Sequence, residues 1–113
     1  MPPPTPLSIK TSSVLRLIKE EASYHEETIQ QKAAVEKLEL EGADEYDLRQ
    51  PRQVLEQTIV MAPAVRKQLH TALGALSEAM EAAPESESEE NKEKAKRALD
   101  DGRKVLEEHG VPE

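Results

Sequence analysis

The chain has no cysteine, tryptophan or phenylalanine, and only two tyrosines and four glycines in 113 residues. Without thiols there are no disulfides and no cysteine chemistry. Without large aromatics a thick globular core is hard to build, whereas long helices packed along narrow seams need few bulky side chains. No run approaches the ~20 apolar residues of a membrane-spanning helix. Met1 to Pro6 is proline-rich and no apolar stretch follows, so no secretory leader is expected and a soluble cytosolic protein is the default. Basic side chains are also scarce, 15 against 23 acidic, giving a net charge of −8. Only residues 47–80 carry a basic excess, four groups against three, between two acidic flanks. Phosphate binding needs a basic face, so nucleic acid is not an expected partner.

What the chain does have is a helical seam. From Asp47 to Met80, every seventh position gives Leu48, Leu55, Ala62, Leu69 and Leu76. Three positions further along stand Thr58, Val65, Ala72 and Ala79, and one beyond those Ile59, Leu73 and Met80. This is the a, d and e pattern of a helix that buries one stripe. Asp47 is the favoured N-cap over Asp44, with Gln50 as a capping-box partner and Pro51 in the first turn. Pro63 falls mid-helix at a solvent-facing position, where it removes one hydrogen bond, costs about 3 kcal/mol and bends the helix towards its apolar side.

The flanking segments read as partners for that helix. Residues 1–10 are expected to be a flexible tail, and a first helix to run from about 12 to 41, capped from Thr11, Ser12 or Ser13. Its apolar residues include Val14, Leu17, Ile18, Ala22, Tyr24, Ile29, Ala33, Val35 and Leu38, with a weak stretch around His25, Thr28 and Lys32. Gly42 suits the C′ position, and the short link to Tyr46 predicts antiparallel neighbours, with Tyr46 covering the end of the seam. After Pro84, Ser86 with Glu89 predicts a third helix over 86–109, closed by Gly110, with 111–113 as a tail. Its face is thin (Ala95, Ala98, Leu99, Gly102, Val105, Leu106), and its small residues allow close approach. The expected fold is all-α: an elongated, left-handed, antiparallel three-helix bundle over 11–110, with its central helix kinked at Pro63.

The sequence offers no chemistry. His25, His70 and His109 lack the i, i+4 spacing of a helical metal site, so no metal ligand is expected among them. Glu20, Glu21, Glu26 and Glu27 read as the wet face of the first helix. No phosphate loop, EF-hand or activated serine is recognisable, and a rod of helices lacks a catalytic pocket. A binding protein without cofactor or metal is expected, not an enzyme.

Three stretches together resemble one family. Ser8 to Glu21, followed by Tyr24 and Glu26-Glu27, is similar to the first helix of tubulin-specific chaperone A, also called tubulin-folding cofactor A. Asp44-Glu45-Tyr46-Asp47-Leu48-Arg49-Gln50 resembles that family's inter-helix link and second-helix start. Met61 to Leu69 resembles its mid-helix proline segment. The resemblance spans about residues 7–106 and marks Tyr46, Asp47 and Pro63 as structural motif positions. Ala64 departs from it, since an acidic residue often follows the proline in the family; Pro51 and the proline-rich tail depart as well.

The resemblance implies a cytosolic, cytoskeleton-associated chaperone. It would capture β-tubulin after chaperonin release and hold it for αβ heterodimer assembly, alongside other tubulin-folding cofactors. Tubulin is acidic at the family level, so the only segment with a basic excess is the expected contact: Arg49, Arg52, Glu56, Arg66 and Lys67, with Arg66-Lys67 as a steering pair. A monomer or weak homodimer is expected. The alternative is a homodimeric helical adaptor or scaffold that shares the same seam between copies.

Overall fold

In the computed structural model, which describes residues 3–112, helix α1 (Pro6–Leu40) runs most of the molecule's length. Helices α2 (Glu45–Ile59) and α3 (Met61–Glu81) return along it, and α4 (Glu89–His109) packs on the result. There is no strand among the described residues, as an all-α fold requires. The molecule measures 64 × 31 × 16 Å with a radius of gyration of 18.9 Å. A compact domain of this length would have about 13 Å, so the expected elongation is present.

Helix α1 starts earlier than the sequence suggests. Thr5 caps it, accepting from the Ser8 N–H, while the Ser8 hydroxyl accepts from the Thr5 N–H, and Pro6 occupies the first turn. That reciprocal box satisfies otherwise orphaned donors. Buried Leu7 anchors the start, and Thr11, expected as a cap, lies inside the helix donating to the Leu7 carbonyl. The expected tail over 1–10 is therefore helical from Pro6 onward, while Met1 and Pro2 lie outside the described residues.

The cap of α2 is Asp44, whose carboxylate accepts from the Asp47 N–H at 2.9 Å; Asp47 is the donor and not the cap. Acidic Glu45 and Asp47 then sit in the first turn, where the helix dipole favours them. The earlier start puts Pro51 inside the helix instead of in its first turn. Tyr46 is 79% exposed and does not cover the seam. The helical run is interrupted at Val60. Pro63, three residues on, has no N–H to offer the Ile59 carbonyl. Likewise α4 is capped by Ser88, which accepts from the Asn91 N–H, and not by Ser86. Gly42 (φ 80°) and Gly110 (φ 83°) take the left-handed conformation that the chain ends of α1 and α4 need.

The apolar core lies where three helices meet. Leu7, Val14 and Leu17 of α1, Val65, Leu69, Leu73 and Leu76 of α3, and Ala95, Ala98 and Leu99 of α4 form one cluster. Gly102 lets α4 approach α3 closely: a Cβ there would lie 2.6 Å from a methyl of Leu73. The helix α2 contributes nothing to that cluster, and none of its residues comes near α4. The three-helix bundle is thus a body with a two-helix arm, formed by the second half of α1 and α2. Within the arm only Val35, Leu48 and Thr58 are buried. Ala22, Ile29 and Ala33, expected on the packed face of α1, are exposed.

Candidate functional site

At the junction of body and arm, the apolar core ends in a polar layer. Glu21, expected on the wet face of α1, is buried there, its side chain only 2% exposed. Arg66 of α3 donates from Nε to Glu21 Oε2 at 2.8 Å, and His109 at the end of α4 places Nδ1 2.8 Å from the same oxygen. Arg66 Nη2 also lies 3.3 Å from His25 Nδ1. The guanidinium can only donate, so His25 accepts and carries its proton on Nε2. The rings of His25 and His109 stack with centroids 4.0 Å apart and planes 15° from parallel. Glu21 thus holds together all three rods of the bundle.

This layer corrects two expectations. Arg66, expected at the exposed contact surface, has a side chain only 14% exposed, with Nε and Nη2 both bonded inside the molecule. The histidines that seemed unrelated by spacing do meet, brought together from α1 and α4. Glu21, His25 and His109 offer donor atoms within 4.8 Å of one another, a set of the kind that holds a divalent cation. The guanidinium of Arg66 is bonded to two of the three and occupies that position with a cation of the chain's own.

Spacing in the sequence carried the signal. Glu21 falls seven residues from Val14 and from Thr28, on the line Leu7, Val14, Glu21, Thr28, Val35. Arg66 fills the gap between Ile59 and Leu73, and His109 continues Ala95 and Gly102. Polar residues at seam positions of three helices must meet if the seams pack in register.

The remaining expected site residues divide between two places. Arg49, Arg52 and Glu56 lie on the arm with Glu45 and Gln53, lining a shallow depression. Arg52 is partly spent there on Glu45 at 3.0 Å and Glu39 at 3.9 Å, both exposed contacts worth little. Lys67 is exposed on the body, in a groove between α1 and α3. Around the interruption of the long helix, Ile59, Val60 and Met61 are exposed, as is Val54 five residues before them. Four apolar side chains in so short a stretch exceed the scattered singles normal for a surface. A second tie was not legible in the sequence: the Thr5 hydroxyl donates to buried Glu87 at 2.6 Å, fastening the start of α1 to the loop before α4.

The family model for tubulin binding cofactor A matches residues 2–99. The chain belongs to the tubulin binding cofactor A family. Tubulin-folding cofactor A of Arabidopsis thaliana is 35% identical over 100 residues, covering 88% of this chain and 84% of that protein. Human tubulin-specific chaperone A is 31% identical over 94 residues, covering 83% of this chain and 87% of its own. The crystal structure of the Arabidopsis cofactor superposes with a TM-score of 0.78 at 34% identity, over 87% of this chain and 92% of that one. The match to the tubulin binding cofactor A family therefore runs through body and arm alike. The polar layer is interior to the fold, whereas the exposed arm and groove are free to meet another molecule. No helix among the described residues is long and apolar enough to cross a membrane.

Proposed function

We propose that this chain is a cytosolic tubulin-folding chaperone that captures β-tubulin after its release from chaperonin and holds it for assembly with α-tubulin, together with other tubulin-folding cofactors. The observation that carries this is the match to the tubulin binding cofactor A family along residues 2–99, including relatives named for tubulin folding. The surface supports holding rather than chemistry, since the conspicuous exposed features are helical faces. The contact would centre on the arm and its junction with the body: Arg49, Arg52 and Glu56 for charge, and Ile59, Val60 and Met61 for apolar area. Lys67 adds a positive charge on the body, and Arg66 is left out because it is already bonded. A bend centred on Pro63 presents the apolar three to the client. The chaperone acts as a monomer or weak dimer in association with the cytoskeletal pool of tubulin.

A pull-down with separated tubulin subunits and intact heterodimer tests this. Selective retention of β-tubulin is expected, reduced by Arg49→Glu with Arg52→Glu and by Val60→Ser with Met61→Ser, at unchanged helix content. Retention of neither subunit, with the protein folded, would overturn the assignment.

A further inference from the structure

We propose that the groove between α1 and α3 is a binding site for an acidic, extended peptide segment. It is an open groove of ≈ 840 Å³. Lys10 and Arg16 reach it from α1, and Lys67 and His70 from α3, all four exposed. Val111 and Pro112 close one end of it, and among the described residues no carboxylate lines it. In a chain whose acids outnumber its bases 23 to 15, this is a local reversal of sign. Helical spacing creates it: Lys10, Ser13 and Leu17 share one face of α1, while Lys67, Thr71 and Ala75 share one face of α3.

These cations remain available. Lys10 and Lys67 make no ion pair among the described residues, and Arg16 gives only Nη1 to Glu20, at 3.1 Å. Elsewhere on the molecule Arg52, Lys92 and Lys94 are answered by neighbouring carboxylates. Lys96 and Arg97 also make no ion pair among the described residues, but they are interspersed along α4 with Glu93, Asp100 and Asp101, whereas the groove gathers Lys10, Arg16 and Lys67 in a chain of net −8, and a flexible acidic partner would be steered here.

The lining favours a peptide over other anions. Leu17, Ala72 and Ala75 give an apolar floor, with Val111 and Pro112 adding apolar surface at one end. Ser13, Gln68 and Thr71 supply side-chain donors and acceptors for peptide groups. Among the described residues no phenylalanine, tyrosine or tryptophan lines it, so nucleobases would find only the single imidazole of His70 and no extended stacking platform. An alternation of carboxylates with alanine-sized residues would satisfy both rim and floor.

The test uses a fluorescein-labelled dodecapeptide of repeated Glu-Glu-Ala, its glutamine-for-glutamate counterpart, and the full chain. Fluorescence anisotropy is read at low salt and at about 150 mM salt. Saturable binding of the acidic peptide alone is expected, weakening several-fold with salt. Lys10→Glu with Lys67→Glu should weaken it about tenfold or more. Lys96→Glu with Arg97→Glu, an equal charge change on α4 outside the groove, should leave it within about twofold. Equal loss in both variants would reduce the effect to net charge and overturn the site, as would equal binding of the glutamine peptide or no binding at either salt. Sedimentation gives a further check. A salt-sensitive dimer that dissociates in the Lys10→Glu, Lys67→Glu variant would assign the groove to a second copy, whose own loop is acidic from Glu85 to Glu90, and would overturn the peptide proposal. Because the probe is synthetic, none of these outcomes bears on whether the chain captures β-tubulin.

Discussion

A carboxylate taken out of water is costly unless it is paired and hydrogen-bonded, and Glu21 is held in that way at Oε2 by Arg66 and His109. Removing one partner leaves the charge buried and uncompensated. Arg66→Met should therefore cost about 3–5 kcal/mol in urea-induced unfolding, more than truncating most surface residues. The double variant Glu21→Leu with Arg66→Met should recover most of that loss, because an apolar pair needs no desolvation of charge. Additive losses would mean that the two residues act separately. Gly102 is a second single-residue control. Alanine there gains about 1 kcal/mol of helix propensity, but its Cβ would meet Leu73 at 2.6 Å. Overpacking typically costs about 1–3 kcal/mol, so Gly102→Ala should be destabilising on balance. Its cost should shrink in a Leu73→Val background, a coupling that chemical denaturation of all four proteins would reveal.

Helix ends decide where the elements begin. The Thr5–Ser8 box does more than start α1, since the same Thr5 hydroxyl reaches Glu87 before α4. Thr5→Val should cost about 1–2 kcal/mol by removing the cap and leaving the Glu87 carboxylate one donor short. Thermal melting would show it, and a change below a few tenths would mean that water replaces both bonds. At the centre of the returning rod, Pro63 denies Ile59 its donor. Pro63→Ala should raise stability by about 1–3 kcal/mol. If the bend presents Ile59, Val60 and Met61 to tubulin, the same variant should capture less β-tubulin despite being more stable. Unchanged capture would remove the bend from the binding surface.

The molecule as a whole is unevenly stable. Its body has three layers of contact and the main core, while the arm has two helices, few buried side chains and Pro51 inside α2. Local opening should follow that division. In hydrogen exchange, amides of residues 28–58 should lose protection well before those of 65–80, and uniform protection would contradict the division. The arm is also where the proposed client contacts lie, and a weakly held element adapts to a large partner at low energetic cost.

The number of rods, their antiparallel order and the small-residue face of α4 followed from the sequence, because each depends on near-neighbour spacing and on glycine, proline and cap chemistry. Of the seam read from heptad spacing, Leu48, Ala62, Leu69 and Leu76 are buried and Leu55 is half-buried, while Ile59, expected beside them, is exposed at the interruption of the helix. The family resemblance was legible for the same reason, in contiguous stretches such as Asp44 to Gln50. What only the tertiary structure decided is everything that depends on the relative register of separate helices. Glu21 lies among glutamates that face water, and although it shares the heptad line of Val14 and Val35, that spacing does not say what would meet its charge. It is buried because α3 and α4 bring Arg66 and His109 to its level. Arg66 and Lys67, adjacent in sequence, part company for the same reason: about 100° around a helix places one in the interior and the other in an open groove. The extent of α4 against α1 likewise sets where body ends and arm begins, a length no single segment encodes.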